Sequence, residues 1–532
     1  MDSIGFREAG DWYDDFRSRH PSVWQRMAEI YGDDAGILEA RQALYLQALD
    51  TFMAAYGPDR EVLISRAPAR INLLGNHIDH RGGSLNYMAI DRDTIVVACP
   101  REDDRVVAHN ANVGRFPARE FGINELLPPE RRGDWLSFVD EVDLEVGDWG
   151  NYLSAPVLYL QDQFPEVEMK GMDLAVAGDV PVAAGLSSSS TLVVTVLEAA
   201  LACNGLEIPG DQKAEFCGRA EWYVGTRGGS GDHAAMLYCG RNAILSVRFF
   251  PLAMEEVLFP EGYRVVACES FVEHHSPGIY NERVATYDIG LMLAIDRFSE
   301  YSDKLEHLRD LTAERLGVPP AEIYRIVKSL PERASRREIL DCLPDRKTEL
   351  KTLFSAHEEP EEGYRARQVV LYGLGECARA ALCKDLLREG DIEGFGELKY
   401  LSHDGDRRFR YSLSDSATPV DNRVSDQAMD QLIADLDSGD PERISAAQIH
   451  RQPGGYDCSC EELDFLVDTA ARVEGVVGAG LTGGGLGGCV LVVVKEDAVE
   501  ELVRVVRSEY YEPRGLDDGA IVCASVEGAG LL

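Results

Sequence analysis

Pro181-Val-Ala-Ala-Gly-Leu-Ser-Ser-Ser-Ser190 lies between a strand-like run, Leu174–Ala177, and the long apolar run Leu186–Asn204, which reads as a buried helix. Phosphate binding needs backbone N–H groups aimed at one spot, small residues that allow close approach, and a helix N-terminus behind them. This stretch supplies all three, with hydroxyls that can ligate Mg²⁺ through oxygen. The competing reading is a flexible Gly/Ser loop that only caps a helix, since serine is a good N-cap. No lysine ends the segment, so it is not the GxxxxGK[ST] phosphate loop.

Three further segments carry chemistry. Leu481-Thr-Gly-Gly-Gly-Leu-Gly-Gly-Cys489 precedes the strand Val490–Val494 and has five glycines in six positions. Each costs about 0.5–1 kcal/mol of backbone entropy, so close packing against the serine loop or a nucleotide, or a tight structural turn, must require them. Ala67-Pro-Ala-Arg-Ile-Asn-Leu-Leu-Gly-Asn-His-Ile-Asp-His-Arg-Gly-Gly83 crowds Arg70, Asn76, His77, Asp79 and His80 together. Such a set suits a polyhydroxylated ligand held by paired hydrogen bonds, or a metal held by the two histidines and the aspartate. In Gly228-Gly-Ser-Gly-Asp232, an aspartate after a glycine turn suits a general base for a hydroxyl, or a simple Asx turn.

Around these segments the chain divides in texture. Residues 1–55 read as helices, 56–275 as a strand-rich lobe and 276–532 as a helix-rich lobe ending in a strand–helix–strand unit. Val62–Ile64 is expected as a strand followed by loop to residue 84. Residues 404–455 are expected as an insertion, largely loop around one helix at 426–437. The pattern predicts an α+β protein of two lobes with a cleft between them.

Composition excludes several roles. With 53 Lys+Arg against 92 Asp+Glu the net charge is −39. That field repels nucleic acid and anionic membrane, so neither is expected as a partner. It also repels ATP, so a nucleotide site must supply its own local positive ends. Twelve scattered cysteines without a CxxC pair suit reduced thiols in a cytoplasmic protein. The N-terminal MDSIGFREAGDWYDDF has no apolar core of a secretory signal. Residues 476–494 are uncharged, but seven of those nineteen positions are glycine, which suits a loop feeding a strand rather than a membrane span.

Taken in order, the four segments resemble the GHMP kinases, and within them the galactokinases. Residues 66–90 are similar to the signature around an arginine, an "NLxG" turn and an "HxD". Residues 181–190 resemble the family's Pro-x-Gly-x-Gly-Leu-Ser-Ser-Ser loop, and 481–489 its Thr-Gly-Gly-Gly-x-Gly-Gly-Cys loop. Trp149-Gly-Asn-Tyr152, Tyr280-Asn-Glu-Arg283 and Ser402-His-Asp404 echo it more faintly. The likeness spans about residues 60–530, interrupted near 303–350 and 405–450. It implies a ribosomal-protein-like N-terminal lobe, a ferredoxin-like C-terminal lobe and a site between them that takes a small-molecule sugar and ATP with Mg²⁺.

The resemblance also implies roles. Asp232 would orient or accept the proton of the anomeric hydroxyl, and Arg70 would keep that carboxylate ionised. Asn76, His77, Asp79, Gly229 and Tyr280 would line the sugar. Trp149 and Tyr152 would flank adenine, while Gly185, Leu186, Ser187, Ser188, Ser189 and Ser190 would hold the phosphates. Ser188 and Glu221 would hold Mg²⁺. The number of subunits has no signature in the chain. Ala183 and Ser190 stand where the family has Gly and Ala, and His80 where it has tyrosine. Asn76 stands where galactokinases carry a glutamate for the 6-hydroxyl, and His77-Ile-Asp-His-Arg-Gly-Gly83 is similar to the galacturonokinases, which lack that glutamate, so a substrate with a carboxylate at C6 is expected. Galactose itself, with Asn76 bonding the 6-hydroxyl, is the alternative, and a catalytically silent sugar sensor a third.

Overall fold

The computed structural model describes residues 5–145, 147–182, 184–225, 229–272, 277–412 and 416–532. Two long antiparallel strands, Glu61–Leu74 and Ser84–Pro100, form the spine of a nine-stranded sheet, paired from Leu63↔Ala98 to Leu74↔Asn86 with register shifts after Pro68 and Asn72. Met172–Gly178 pairs with the outer half of the second strand, and Ala243–Arg248 with its inner half, Ser84–Tyr87. Alternation sorts the side chains onto two faces. Val96, Ala98, Leu174 and Val176 pack beneath the helices Gly150–Gln163 and Ser188–Asn204. Ile95, Val97, Ala175 and Ala177 pack beneath Ala9–Ser18, Pro21–Tyr31 and Ala35–Tyr56. The N-terminal helices are therefore one wall of this lobe.

They also reach toward the serine loop. Arg41, buried on the third helix, pairs with Asp93 at 3.3 Å and with Asp179, whose Oδ1 accepts from the Asp93 amide at 2.9 Å. Asp179 stands two residues before Pro181, so this buried charge cluster anchors the foot of the loop.

The second sheet has four antiparallel strands in the order Val476–Leu481, Cys489–Lys495, Tyr263–Glu269, Ala520–Cys523. Glu461–Ala470 and Val499–Val506 cover one face. The other face, with Val265, Ala267, Leu491 and Val493, shares an apolar core with Ala69, Ile71, Leu73 and Ile90 of the first sheet. A boundary at 275 does not divide the sheets: Tyr263–Glu269 lies inside the second, and Gly530–Leu531 returns to pair with Ser65–Arg66 of the first.

Three expectations differ from the structure. The supposed loop after Ile64 is strand to Leu74. It hides its period because polar Arg66, Arg70 and Asn72 are buried with partners, and Pro68 falls at a register shift where a ladder donor is not needed. Residues 476–481 are strand rather than glycine loop, because Gly478 admits the backbone of Gly396; a Cβ there would lie 2.7 Å from the Gly396 Cα. The second insertion holds the helix Asp426–Leu436, a further helix at Pro441–Ala446 and a short strand pair, 409–411 with 417–419. Together with the first insertion it packs on the helices Pro277–Arg297 and Ala366–Glu389.

Candidate active site

Arg70 and Asp232 meet where the long strand Glu61–Leu74 faces the helix Gly231–Tyr238. Arg70 Nη2 donates to Asp232 Oδ2 at 2.5 Å and its Nη1 to the Gly185 carbonyl at 2.8 Å. The Arg70 side chain is 8 % exposed while that of Asp232 keeps 29 %, so the carboxylate opens to the cleft with the guanidinium behind it. Ser187 Oγ donates to the same carboxylate oxygen at 2.6 Å. Burial alone raises the Asp232 carboxyl; the Arg70 charge and the hydrogen bonds from Arg70 and Ser187 outweigh it and hold it at about 2. Tyr87, which carries no sequence signal beyond its place on a strand, is buried beside this pair, and burial and the Asp232 charge push its phenol well up.

Ser187 has φ of +56° and caps the helix Ser188–Asn204 without a side-chain hydrogen bond. Its hydroxyl is committed to Asp232, so the first-turn amides of that helix are left for an outside acceptor. The loop is thus more than a cap. Ser188 and Ser189 line a cavity of about 390 Å³ that also contains Trp149, Tyr152 and Phe116. Trp149 is fixed by its indole N–H, which donates to the Pro117 carbonyl at 2.9 Å. An aromatic slot thus ends at the helix N-terminus, an arrangement suited to a flat base followed by phosphates.

The other loop residues divide. Leu186 is buried in the core between the lobes, so only its backbone can face a nucleotide. Ser190 is buried and its hydroxyl lies 3.1 Å from the Glu221 carboxylate, which it supports in place of a phosphate; this corrects its expected role. His233 Nε2 lies 3.0 Å from the Glu221 carboxylate. The Glu221 side chain is 12 % exposed, and its charge is felt by both Arg70 and Tyr152, which places it between the Arg70–Asp232 pair and the aromatic slot. Among the described residues no cluster of three metal-ligating side chains occurs. One carboxylate beside serine oxygens still fits Mg²⁺, which takes hard oxygen ligands and keeps waters and phosphate oxygens for the rest.

The glycine loop faces the serine loop edge-on: a Cβ on Gly483 would lie 3.8 Å from the Gly185 carbonyl, and one on Gly185 the same distance from that of Thr482. Its tightest contacts are elsewhere. A Cβ on Gly485 would meet the Cys458 carbonyl at 2.1 Å and one on Gly487 the Val272 carbonyl at 2.3 Å, with φ at +71° and +141°. Protein backbone therefore accounts for these two glycines.

The residues expected around a sugar do not all converge. Asp79 Oδ2 lies 3.7 Å from where a Gly229 Cβ would be, and Tyr280 feels both Asp79 and Asp232. These groups form one wall. Gly228 and Ala183 lie outside the described residues. Asn76 and His77 turn inward, contrary to expectation. Asn76 is 3 % exposed, its Nδ2 donates to the Leu481 carbonyl at 3.1 Å and its Oδ1 accepts from Asn72 at 3.2 Å. His77 has φ of +64°, which swings its ring to stack on Tyr456 at 4.3 Å, 3.6 Å from Asp406, with 1 % of the side chain exposed. Both anchor the loop that presents Asp79. The same turn rests on a residue without a sequence signal: buried Glu376 accepts from the Gly75 and Asn76 amides at 2.9 and 3.1 Å and from Ser402 at 2.9 Å.

Known proteins share this layout. Models described as "Galactokinase galactose-binding signature", "GHMP kinases N terminal domain" and "GHMP kinases C terminal" match residues 50–100, 151–240 and 428–512. The chain is 26 % identical over 514 residues to a galactokinase of Dictyostelium discoideum, covering 94 % of this chain and 93 % of that one. It is 26 % identical over 484 residues to one of Roseiflexus sp., covering 90 % and 95 %. A crystal structure of Lactococcus lactis galactokinase complexed with galactose superposes with a TM-score of 0.63 at 23 % identity, over 91 % of this chain and 98 % of that one, and shares the fold. The signature match falls on the strand hairpin that carries Arg70 and Asp79, the N-terminal match on the serine loop and Asp232, and the C-terminal match on the glycine loop. The chain carries the GHMP kinase N- and C-terminal domains and the galactokinase galactose-binding signature, and is a sugar kinase.

Proposed function

We propose that this kinase transfers the γ-phosphoryl group of ATP to the anomeric hydroxyl of a galactose-like sugar, with Asp232 as the proton acceptor. The observation that carries the reading is an ionised carboxylate, opened to the cleft and bonded by Arg70 and Ser187, beside a helix terminus that ends an aromatic slot. Asp79, Gly229 and Tyr280 would position the sugar; Trp149, Tyr152, Ser188 and Ser189 the nucleotide. Glu221 and Ser188 would hold Mg²⁺, which neutralises charge on the phosphate oxygens when bound.

A carboxylate held at about 2 is a weak base toward a free hydroxyl. It serves by orienting the hydroxyl, and accepts the proton as the forming O–P bond makes that oxygen acidic. The bond from the γ-phosphorus to the bridging oxygen breaks, and ADP leaves with its electron pair.

At C6 the decisive feature is the absence of a charge. Asn76 is engaged within the protein, so it acts by not being a carboxylate. A glutamate about 4 Å from a uronate would repel it by roughly 1 kcal/mol in water and about 4 at an effective dielectric of 20. Galacturonate is the favoured substrate on this reading, and galactose the second. Steady-state kinetics on both sugars test it, with the acid lability of the product marking a phosphate at C1. A clear preference for galactose removes the uronate reading. Asn76→Ala should lower stability by about 1–2 kcal/mol and leave the sugar preference in place, because buried partners lose a hydrogen bond while no charge changes. A switched preference at unchanged stability would contradict it.

A further inference from the structure

Phosphoryl transfer has no use for the two insertions, yet they are folded and meet each other. The Tyr324 hydroxyl donates to the Ala447 carbonyl at 2.6 Å, Lys328 pairs with Asp430 at 2.5 Å and Arg325 with Asp437 at 3.1 Å. At that junction lies a cavity of about 580 Å³, within the range of small-molecule sites. Ile323, Leu374, Leu436 and Ile449 make its walls apolar. Its floor is Gly82–Ser84, the return arm of the loop that presents Asp79. It shares no lining residue with the nucleotide cavity, and Asp79, Gly229, Asp232 and Tyr280 do not line it.

The rim is positive in a chain of net charge −39. Arg248 is exposed and makes no ion pair among the described residues. Arg309 spends its donors on carbonyls, those of Gly82 at 2.8 Å and of Phe249 and Phe250, and its nearest carboxylate, Asp310, is 3.8 Å away. Glu314 is the one carboxylate among the lining residues. The Arg309–Gly82 contact is close: a Cβ on Gly82, where φ is +77°, would stand 2.9 Å from the Arg309 Cδ. Movement of the insertion is therefore passed directly to the arm three residues beyond Asp79.

We propose that this cavity is a second binding site, for a small organic anion with an apolar body whose acidic group sits at Arg248, and that occupancy acts on the sugar loop through Arg309 and Gly82. The apolar walls demand a hydrophobic body, and the excess of guanidinium over carboxylate at the rim demands an acid. The binding stands without the assignment of the sugar wall; the kinetic effect rests on it.

A fluorescent probe of that chemistry, 8-anilinonaphthalene-1-sulfonate, tests it on the full chain. Binding should saturate at one site and persist under saturating ATP or sugar. Arg248→Glu should weaken it about tenfold or more, a change of roughly 1.4 kcal/mol, and Ala381→Trp, which fills the cavity from an exposed lining position, should abolish it. Both variants keep wild-type kcat without the probe. In the wild type the probe should move the KM for sugar about fivefold with little change in kcat. Displacement by either substrate, absence of saturable binding, or unchanged binding in either variant overturns the site. A sugar KM that does not respond to bound probe overturns the coupling, even where the kinase assignment holds.

Discussion

Asp232 shows how a single charge is set against its surroundings. Its burial favours the neutral acid, and Arg70 reverses that preference. Its folded pKa lies below the unfolded one, so the ion pair contributes stability at neutral pH that is lost as pH falls from 3.8 through about 2. In the wild type this titration stays below the working range of a sugar kinase. Arg70→Met removes the opposing charge and leaves the desolvation, so the acid limb of kcat/KM should move upward, by about one to three units, with ATP affinity nearly unchanged. An acid limb that stays in place would contradict the assignment of Arg70. At this scale the sequence singles out Arg70, Asp79 and Asp232, because their types and neighbours point to one chemistry, and the fold brings Arg70 and Asp232 together. Asn76 and His77 looked alike in sequence but face inward, since a left-handed φ at residue 77 and the buried Glu376 decide where those side chains go. Tyr87 and Glu376 were illegible because each stands against a residue far away in the chain.

Among the elements, the serine loop was the most legible: small residues between a strand and a helix leave little other use for a bare helix terminus. The glycine loop was half legible. Its positive φ values follow from composition, but the contact that demands them is with Cys458 and Val272 rather than a nucleotide. Gly485→Ala should therefore cost about 2 kcal/mol or more through backbone strain and a clash with the Cys458 carbonyl, lowering the unfolding midpoint in denaturant before any loss of ATP affinity. An unchanged midpoint with weakened ATP binding would show that the nucleotide imposes that glycine. The strands Glu61–Leu74 and Val476–Leu481 were misread for a shared reason. Both are buried on two faces, so alternation is lost, and the residues that mark them as special are polar groups or glycines needed by neighbours.

At the scale of the molecule, the two-lobed α+β architecture followed from texture and order, while the chain crossings between lobes did not. The change in texture at 275 is not the boundary between the sheets, because Tyr263–Glu269 sits inside the second sheet and Gly530–Leu531 crosses back to the first. The N-terminal helices are likewise wall rather than appendage. Deleting residues 1–56 uncovers the apolar face around Val62, Ile64, Ile95 and Val97 and removes Arg41 from Asp93 and Asp179. The shortened chain should aggregate on expression, as sedimentation of the lysate would register; a soluble, active product would show the helices to be dispensable. On the proposed mechanism, turnover depends on the Asp232 carboxylate. ADP release measured over galactose and galacturonate, for the wild type and Asp232→Ala side by side, tests it most directly. The wild type should show sugar-dependent turnover, and the variant a loss of about 10²–10⁴-fold at undiminished ATP affinity. Absence of sugar-dependent ADP release in the wild type, or a variant as fast as the wild type, would contradict it.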